Sequence, residues 1–316
     1  MVLFDIFDKA KKSIGVGIEK DGSVFRVAKT TTQKNSLTID FIGEFHLADV
    51  DKPEKDVGFK NFLEKNHLIK RRVATNLENT GLRIRRMELP PMPENDLVSA
   101  AKFNLKDQVE GQVEDYEIRY SILSKSQGVN PKQELVIYGI PNSVIKQEVE
   151  LFKSLNLRLD VLEPSSVSVA AWFDRLNPDD PGINAIAHFG EASSIFVIVS
   201  NGKFLFSRLL DNPELLGLGD RTEFPDADAM LQTSLNIQKS IDSFCMIFRR
   251  DRVDRVVLSG KLAESPGFEE FLGRTLGITV EKIDKLYETQ FAFDPLLHKQ
   301  ELIKYTVPLA LSITPV

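Results

Sequence analysis

The segment Ile14-Gly-Val-Gly-Ile-Glu-Lys-Asp-Gly-Ser-Val-Phe-Arg-Val-Ala28 is an apolar strand, a glycine turn and a second apolar strand, and the same figure returns half a chain later. There it reads Ile183-Asn-Ala-Ile-Ala-His-Phe-Gly-Glu-Ala-Ser-Ser-Ile-Phe-Val-Ile-Val199 and continues through Asn201-Gly202 into Lys203-Phe-Leu-Phe206. Runs of Val, Ile and Phe broken by glycine turns are hairpin signals. Two such hairpins, over residues 14–31 and 183–209, point to two related domains facing one another across a cleft.

The composition suits that reading. A chain of 316 residues exceeds what one hydrophobic core serves and fits roughly two to three subdomains. Its 42% hydrophobic and 27% charged fractions are those of a globular protein, and no apolar run approaches the roughly 20 residues needed to span a bilayer. The net charge of -6 provides no basic field for nucleic acid, so Arg71-Arg72 and Arg83-Ile-Arg-Arg86 read as solvated faces. The single cysteine, Cys245, excludes a disulfide within the chain and fits a reducing compartment. The four histidines, His46, His67, His188 and His298, stand far apart, and no metal site is expected. In the first 12 residues Leu3, Phe4, Phe7 and Ala10 could form a helical face beside Lys9, Lys11 and Lys12, which would suit peripheral contact with an anionic membrane; a frayed or core-docked terminus is the other reading.

Between the hairpins, periodicity marks further elements. Leu37–Ile42 alternates as a third strand, Phe59, Phe62 and Leu63 share a helical face, and residues 72–76 and 83–89 read as strands. Pro90-Pro91-Met92-Pro93 then interrupts the chain. Beyond it come a helix over 94–109, strands near 115–123 and 134–140, a helix from Pro141 and a strand at 157–161, together an inserted subdomain of residues 91–163. Pro164 opens a helix that returns to the first domain, and Asn177-Pro-Asp-Asp-Pro-Gly182 is a turn cluster at a domain boundary. A long helix over about 226–249, a strand at 254–259, a helix at 267–276 and a strand at 278–283 follow. The expected division is a first domain of 1–90, 164–182 and 303–316, the insertion, and a second domain of 183–302 with a small outer subdomain near 210–250. Asp211, Glu214, Asp220, Glu223, Asp226 and Asp228 make an acidic stretch read as a solvated loop.

In this order the pieces resemble the actin-like ATPase superfamily and, within it, the PilM family of type IV pilus assembly proteins. Four segments carry the likeness: Met87-Glu-Leu-Pro-Pro-Met-Pro-Glu-Asn-Asp-Leu97; Glu134-Leu-Val-Ile-Tyr-Gly-Ile-Pro-Asn-Ser143 running on to Leu155-Asn-Leu-Arg-Leu-Asp-Val-Leu-Glu-Pro164; Ser234-Leu-Asn-Ile-Gln-Lys-Ser-Ile-Asp-Ser-Phe244; and Leu258-Ser-Gly-Lys-Leu-Ala-Glu-Ser-Pro-Gly-Phe268. The cytoplasmic domain of the type II secretion protein GspL is a relative of much the same architecture. The resemblance implies an α/β, actin-like (ribonuclease H-like) two-domain fold with an inserted α/β subdomain in the first domain. It also implies a cytoplasmic protein at the inner face of the inner membrane. Its partner would be the N-terminal cytoplasmic tail of a bitopic PilN-type protein, held between the first domain and the insertion.

The nucleotide site implied by the superfamily is degenerate here. Its first hairpin carries Asp-x-Gly for Mg²⁺ and phosphate, and this alignment puts Gly17 at the Asp and Glu19 at the Gly. In the second hairpin His188 replaces the acid while Gly190, Ser193 and Ser194 remain. In the adenosine turn Gly260 is kept and Lys261 stands where a second glycine belongs; Asn236 replaces the usual Glu on the neighbouring helix. A carboxylate within about 4 Å of a phosphate is repelled by roughly 1 kcal/mol in water and about 4 at an effective dielectric of about 20. The expectation is therefore a retained fold without ATPase chemistry, no catalytic residue, no metal, and ATP not held. The alternatives are a Mg-ATP-binding enzyme in which Asp21 supplies the acid, a component of a type II secretion system, or a filament-forming element. Lys20-Asp21-Gly22 otherwise reads as the hairpin's own turn.

Overall fold

A computed structural model of the protein describes residues 13–33, 36–47, 55–77, 81–125, 131–178, 180–210, 227–289, 292–293 and 299–315. In chain order the first domain opens with β1 (Val16–Asp21), β2 (Val24–Gln33), β3 (Ser36–His46), α1 (Lys55–Lys65) and β4 (Arg72–Leu77). There follow β5 (Arg83–Leu89), α2 (Glu94–Leu105), β6 (Tyr116–Lys125), β7 (Gln133–Pro141), α3 (Asn142–Ser154), β8 (Arg158–Pro164) and α4 (Ser165–Leu176). The second domain has β9 (Ile183–Phe189), β10 (Ser194–Ser200), β11 (Lys203–Leu210), α5 (Ala227–Phe248), β12 (Arg255–Gly260), α6 (Phe268–Leu276) and β13 (Thr279–Lys282). The chain closes with β14 (Ala292–Phe293) and α7 (Thr306–Ile313).

These strands form a six-stranded sheet ordered β14-β3-β2-β1-β4-β8, a five-stranded sheet ordered β11-β10-β9-β12-β13 and a three-stranded sheet ordered β5-β7-β6. The doubled hairpin is real. Gly22-Ser23 joins β1 to β2 with φ 62 at Gly22, the positive angle that a tight two-residue hairpin turn requires at its first position. Asn201-Gly202 joins β10 to β11 with φ 51 and 69. One apolar core runs through both domains by way of α4 and α7, burying Trp172, Phe173, Leu309 and Leu311.

Three expected boundaries are corrected by the strand pairing. β5 pairs antiparallel with β7 and so belongs to the insertion, not to the first domain. β8 pairs parallel with β4 and belongs to the first domain, not to the insertion. Pro90–Pro93 therefore interrupts the insertion from within, before α2, whose Leu97, Ala101 and Leu105 are buried, the last two in the cluster of Tyr116, Ile118 and Ile137. β14 pairs parallel with β3 in the first sheet and so belongs to the first domain, not to a second domain of 183–302. Residues 1–12 and 211–226, with the membrane-contact face and most of the acidic stretch expected there, lie outside the described residues. Of the expected outer subdomain, α5 packs on the second domain's own sheet, with the Phe244 ring 6.1 Å from Phe206.

Candidate functional site

Arg26 lies in the apolar run Val24–Ala28 of β2 and is 2% exposed. A guanidinium taken so far out of water requires carboxylates around it. Its Nη1 donates to Asp21 Oδ2 at 2.9 Å, Nη2 to Glu191 Oε1 at 2.8 Å and Nε to Glu44 Oε2 at 3.3 Å, and Glu19 Oε2 lies 3.6 Å from Nη1. Burial opposes the charge, but Glu19, Asp21 and Glu44 hold the guanidinium above its already high ordinary pKa. Glu44 shows the converse: burial alone would raise it, while Arg26, Lys304 and His46 hold its carboxyl below the usual range.

Asp21 is the last residue of β1, and its side chain crosses to the second hairpin. The backbone N–H of Glu191 donates to Oδ2 at 2.5 Å and that of Ala192 to Oδ1 at 2.8 Å. The turn between β9 and β10 presents these two amides because Gly190 N–H donates to Ser193 O at 2.9 Å, folding the loop back on itself. A Cβ at Gly190 would stand 2.7 Å from Ser193 O and 2.8 Å from Asp21 Oδ2, so only glycine admits the carboxylate. Successive amides of this kind form an anion-binding concavity. Here a side chain of the same protein fills it.

The residue facing His188 across the cleft is Glu19, with Oε1 3.6 Å from Nε2, while His188 Nδ1 is held by Ser259 Oγ at 2.8 Å. On the opposite face of β1, Lys20 Nζ donates to both oxygens of Glu148 on α3, at 2.6 and 2.7 Å, fastening that helix to the first domain's sheet. Asn76 Oδ1 accepts from Lys20 N–H at 2.7 Å, and Asn76 Nδ2 donates to Ser165 Oγ at 3.1 Å. What space is left among Glu19, Asn76, Ser165, His188 and Ser193 is about 10 Å³. That holds about one water, against the roughly 300 Å³ or more of a small-molecule site. Two larger hollows, of about 510 and 850 Å³, lie along α6 and share no residue with the hairpin turns.

The residues expected at a nucleotide site are thus only partly brought together. Glu19, Gly190 and Ser193 line the small cavity, Ser194 is buried at the start of β10, and Lys261 Nζ lies 3.5 Å from Glu191 Oε1. Gly17 is elsewhere: on the same face of β1 as Glu19 but nearer the strand's start, a Cβ there would meet Pro308 O at 2.0 Å, so this glycine seats β1 on α7 and does not line the cavity. Gly260, with φ 83, is pressed against the Phe189 backbone of β9, 2.2 Å from where its Cβ would be, and neither it nor Asn236 lines the cavity. The hairpin's own turn, expected at Lys20-Asp21-Gly22, falls one residue later, at Gly22-Ser23 between the paired Asp21 and Val24. Arg26, Glu191 and the bridging role of Asp21 escaped the reading of the sequence, although a charge within an apolar strand was the signal for the first. The Mg-nucleotide that the superfamily implies does not fit: its anion cradle is filled by Asp21, and the acids beside it are neutralised by a guanidinium. Among the described residues, no three His, Cys, Asp or Glu side chains are grouped as metal ligands.

No protein-family model matches the chain, and no curated protein matches it. Solved structures do. A chain of the PilM-PilN type IV pilus biogenesis complex superposes with a TM-score of 0.77 at 19% identity, covering 95% of this chain and 98% of that one. A Bacteroides thetaiotaomicron protein described as having an actin-like ATPase fold and unknown function matches at TM-score 0.48 and 14% identity, over 90% of this chain and 95% of its own. The cytoplasmic domain of EpsL, an inner-membrane component of the Vibrio cholerae type II secretion system, matches at TM-score 0.47 and 11% identity, over 92% and 93%. Doubled hairpins, paired sheets, an inserted subdomain and this near-complete superposition together give the chain the actin-like fold, in the arrangement seen in the PilM-PilN complex.

Proposed function

We propose that the protein is an actin-like scaffold of a type IV pilus or related envelope machine that binds the cytoplasmic tail of a PilN-type inner-membrane partner and does not hydrolyse ATP. The observation that carries the second half is the Asp21 carboxylate on the Glu191 and Ala192 amides, with Arg26 behind it. An anion of the chain itself occupies the position that a phosphate would need, and a buried cation replaces the one that would accompany it. Support for the first half is the likeness in fold to a chain of the PilM-PilN complex. A short extended tail can be held by strand pairing and a few apolar pockets without any chemistry. The insertion supplies such surfaces in α2, whose Phe103 is 78% exposed, and in the three-stranded sheet. Being tethered by such a tail would keep the protein at the inner face of the membrane.

Calorimetry with Mg-ATP tests the absence of ATPase chemistry. No binding is expected at micromolar concentrations; submicromolar affinity, or hydrolysis lost in Asp21→Ala, would overturn it. Fluorescence anisotropy with a labelled cytoplasmic-tail peptide of a PilN-type protein tests the tail-binding reading, and absence of saturable binding would refute it.

A further inference from the structure

The C-terminal end of α5 carries chemistry that neither the cleft nor the scaffold reading uses. The helix buries Ile237, Ile241 and Phe244, yet its last turn exposes two adjacent apolar side chains, Met246 at 76% and Ile247 at 64%. The chain then runs through Arg249, Arg250 and Arg252, all exposed. Arg252 Nε donates to Asp254 Oδ1 at 3.1 Å; Arg249 and Arg250 have no carboxylate partner among the described residues, with Asp251 the nearest acid in sequence.

The backbone at this point is itself unusual. Arg250 N–H donates to Cys245 O at 3.0 Å and Arg249 has φ 51, a closure that places Arg249 where helices most often put glycine. At the corresponding positions α1, α3 and α6 use His67, Asn156 and Gly277, residue types that enter the left-handed region more readily. An arginine held there is strained by its own Cβ. Strain kept at an exposed position invites a functional explanation. Across the domain boundary the guanidinium of Arg86, ion-paired with Glu134, stacks 4.4 Å from the Phe248 ring centre. Burial first, and the like charge of Arg250, hold Arg86 below its ordinary pKa against the opposite pull of Glu88.

We propose that this helix end docks on an anionic phospholipid bilayer, with Met246 and Ile247 entering the headgroup region and Arg249, Arg250 and Arg252 on the lipid phosphates. The combination selects the partner. A nucleic-acid backbone would engage the arginines and leave the two apolar side chains in water. An acidic peptide would want a groove, whereas these residues project from a helix end. A fluid surface accepts both the charges and the apolar pair. The overall charge of -6 does not prevent this, because charges more than about 8 Å from the surface are screened at physiological salt. The inference does not rest on the scaffold reading.

The test is co-sedimentation of the full chain with vesicles of phosphatidylcholine alone and of phosphatidylcholine with phosphatidylglycerol. Binding is expected only with the anionic lipid and should fall as salt rises. Arg249→Gly with Arg250→Ser should weaken it by about 25-fold, about fivefold per arginine. The glycine should leave the melting temperature unchanged or higher, which separates loss of binding from loss of fold. Met246→Ser with Ile247→Ser should weaken binding by about tenfold or more with every charge retained. Unchanged binding in either pair would overturn the proposal. So would binding abolished by Phe4→Ser with Phe7→Ser and indifferent to the arginines, or capture of polyglutamate without capture of vesicles.

Discussion

Replacing Asp21 by alanine is the sharpest test of the closed cleft. The substitution removes two hydrogen bonds from the Glu191 and Ala192 amides, at 2.5 and 2.8 Å, and one from Arg26 at 2.9 Å. All three involve an ionised group, each worth about 1.5–3 kcal/mol, and their loss leaves a buried guanidinium one carboxylate short. Glu19, Glu44 and Glu191 remain to hold Arg26, so the expected destabilisation is about 3–5 kcal/mol and not the full sum. For a chain of this length that is roughly 5–7 °C in melting temperature. The variant also vacates an anion concavity. Inorganic phosphate should then stabilise it, by about 2.7 kcal/mol at about 100 times the dissociation constant, while leaving the native protein unmoved. Thermal and urea denaturation with and without phosphate read both effects. A loss below about 1 kcal/mol, or equal stabilisation of native protein and variant by phosphate, would refute the reasoning.

Removing the cation should be as damaging as removing its acceptor: Arg26→Met leaves Glu19, Asp21, Glu44 and Glu191 facing one another and should lose about 3–5 kcal/mol at neutral pH, with part regained in acid, measured by urea unfolding. Gly17→Ala would drive a methyl into Pro308 O, 2.0 Å away, and into α7; a loss of about 3 kcal/mol or more is expected in the same assay, and a melting temperature within error of the native protein would contradict the packing described. Glu163 is fully buried and accepts a hydrogen bond from Ser168 Oγ at 2.6 Å, and burial pushes its carboxyl up to about 7. Because the folded protein holds this proton more tightly than the unfolded chain, the associated stability is full below about pH 4.5 and is lost as pH rises through about 7, some 3 kcal/mol in all. Glu163→Gln should flatten that slope, so unfolding free energies near about pH 5 and about pH 8 should differ less in the variant; an unchanged difference would count against it.

The hairpins, the insertion and the order of the helices could be read from local periodicity, because alternation and helical spacing are written into contiguous residues. Pairing is not. Arg83–Leu89 reads as a strand in any sheet, and nothing local says that it lies beside Gln133–Pro141 while Arg158–Pro164 lies beside Arg72–Leu77. The cleft was harder for the same reason. Arg26 and Glu191 are 165 positions apart and Asp21 and Glu191 170, and their types become informative only once the turns face each other. Gly17 misled because a glycine that seats a strand on a helix and a glycine left by a lost acid look alike in a sequence.

The bridges of Asp21 and Arg26 give the molecule a mechanical character. The bonds from Arg26 to Glu191 and from Asp21 to the Glu191 and Ala192 amides fasten the first domain to the second at their facing hairpins. Ionic contacts this short are stiff over fractions of an ångström and fail abruptly beyond, since half-buried charges pulled apart must find water or new partners. A load applied to the first domain's sheet therefore reaches the second domain through these bonds with little give. A partner that grips the first domain is thereby coupled stiffly to whatever the second domain touches.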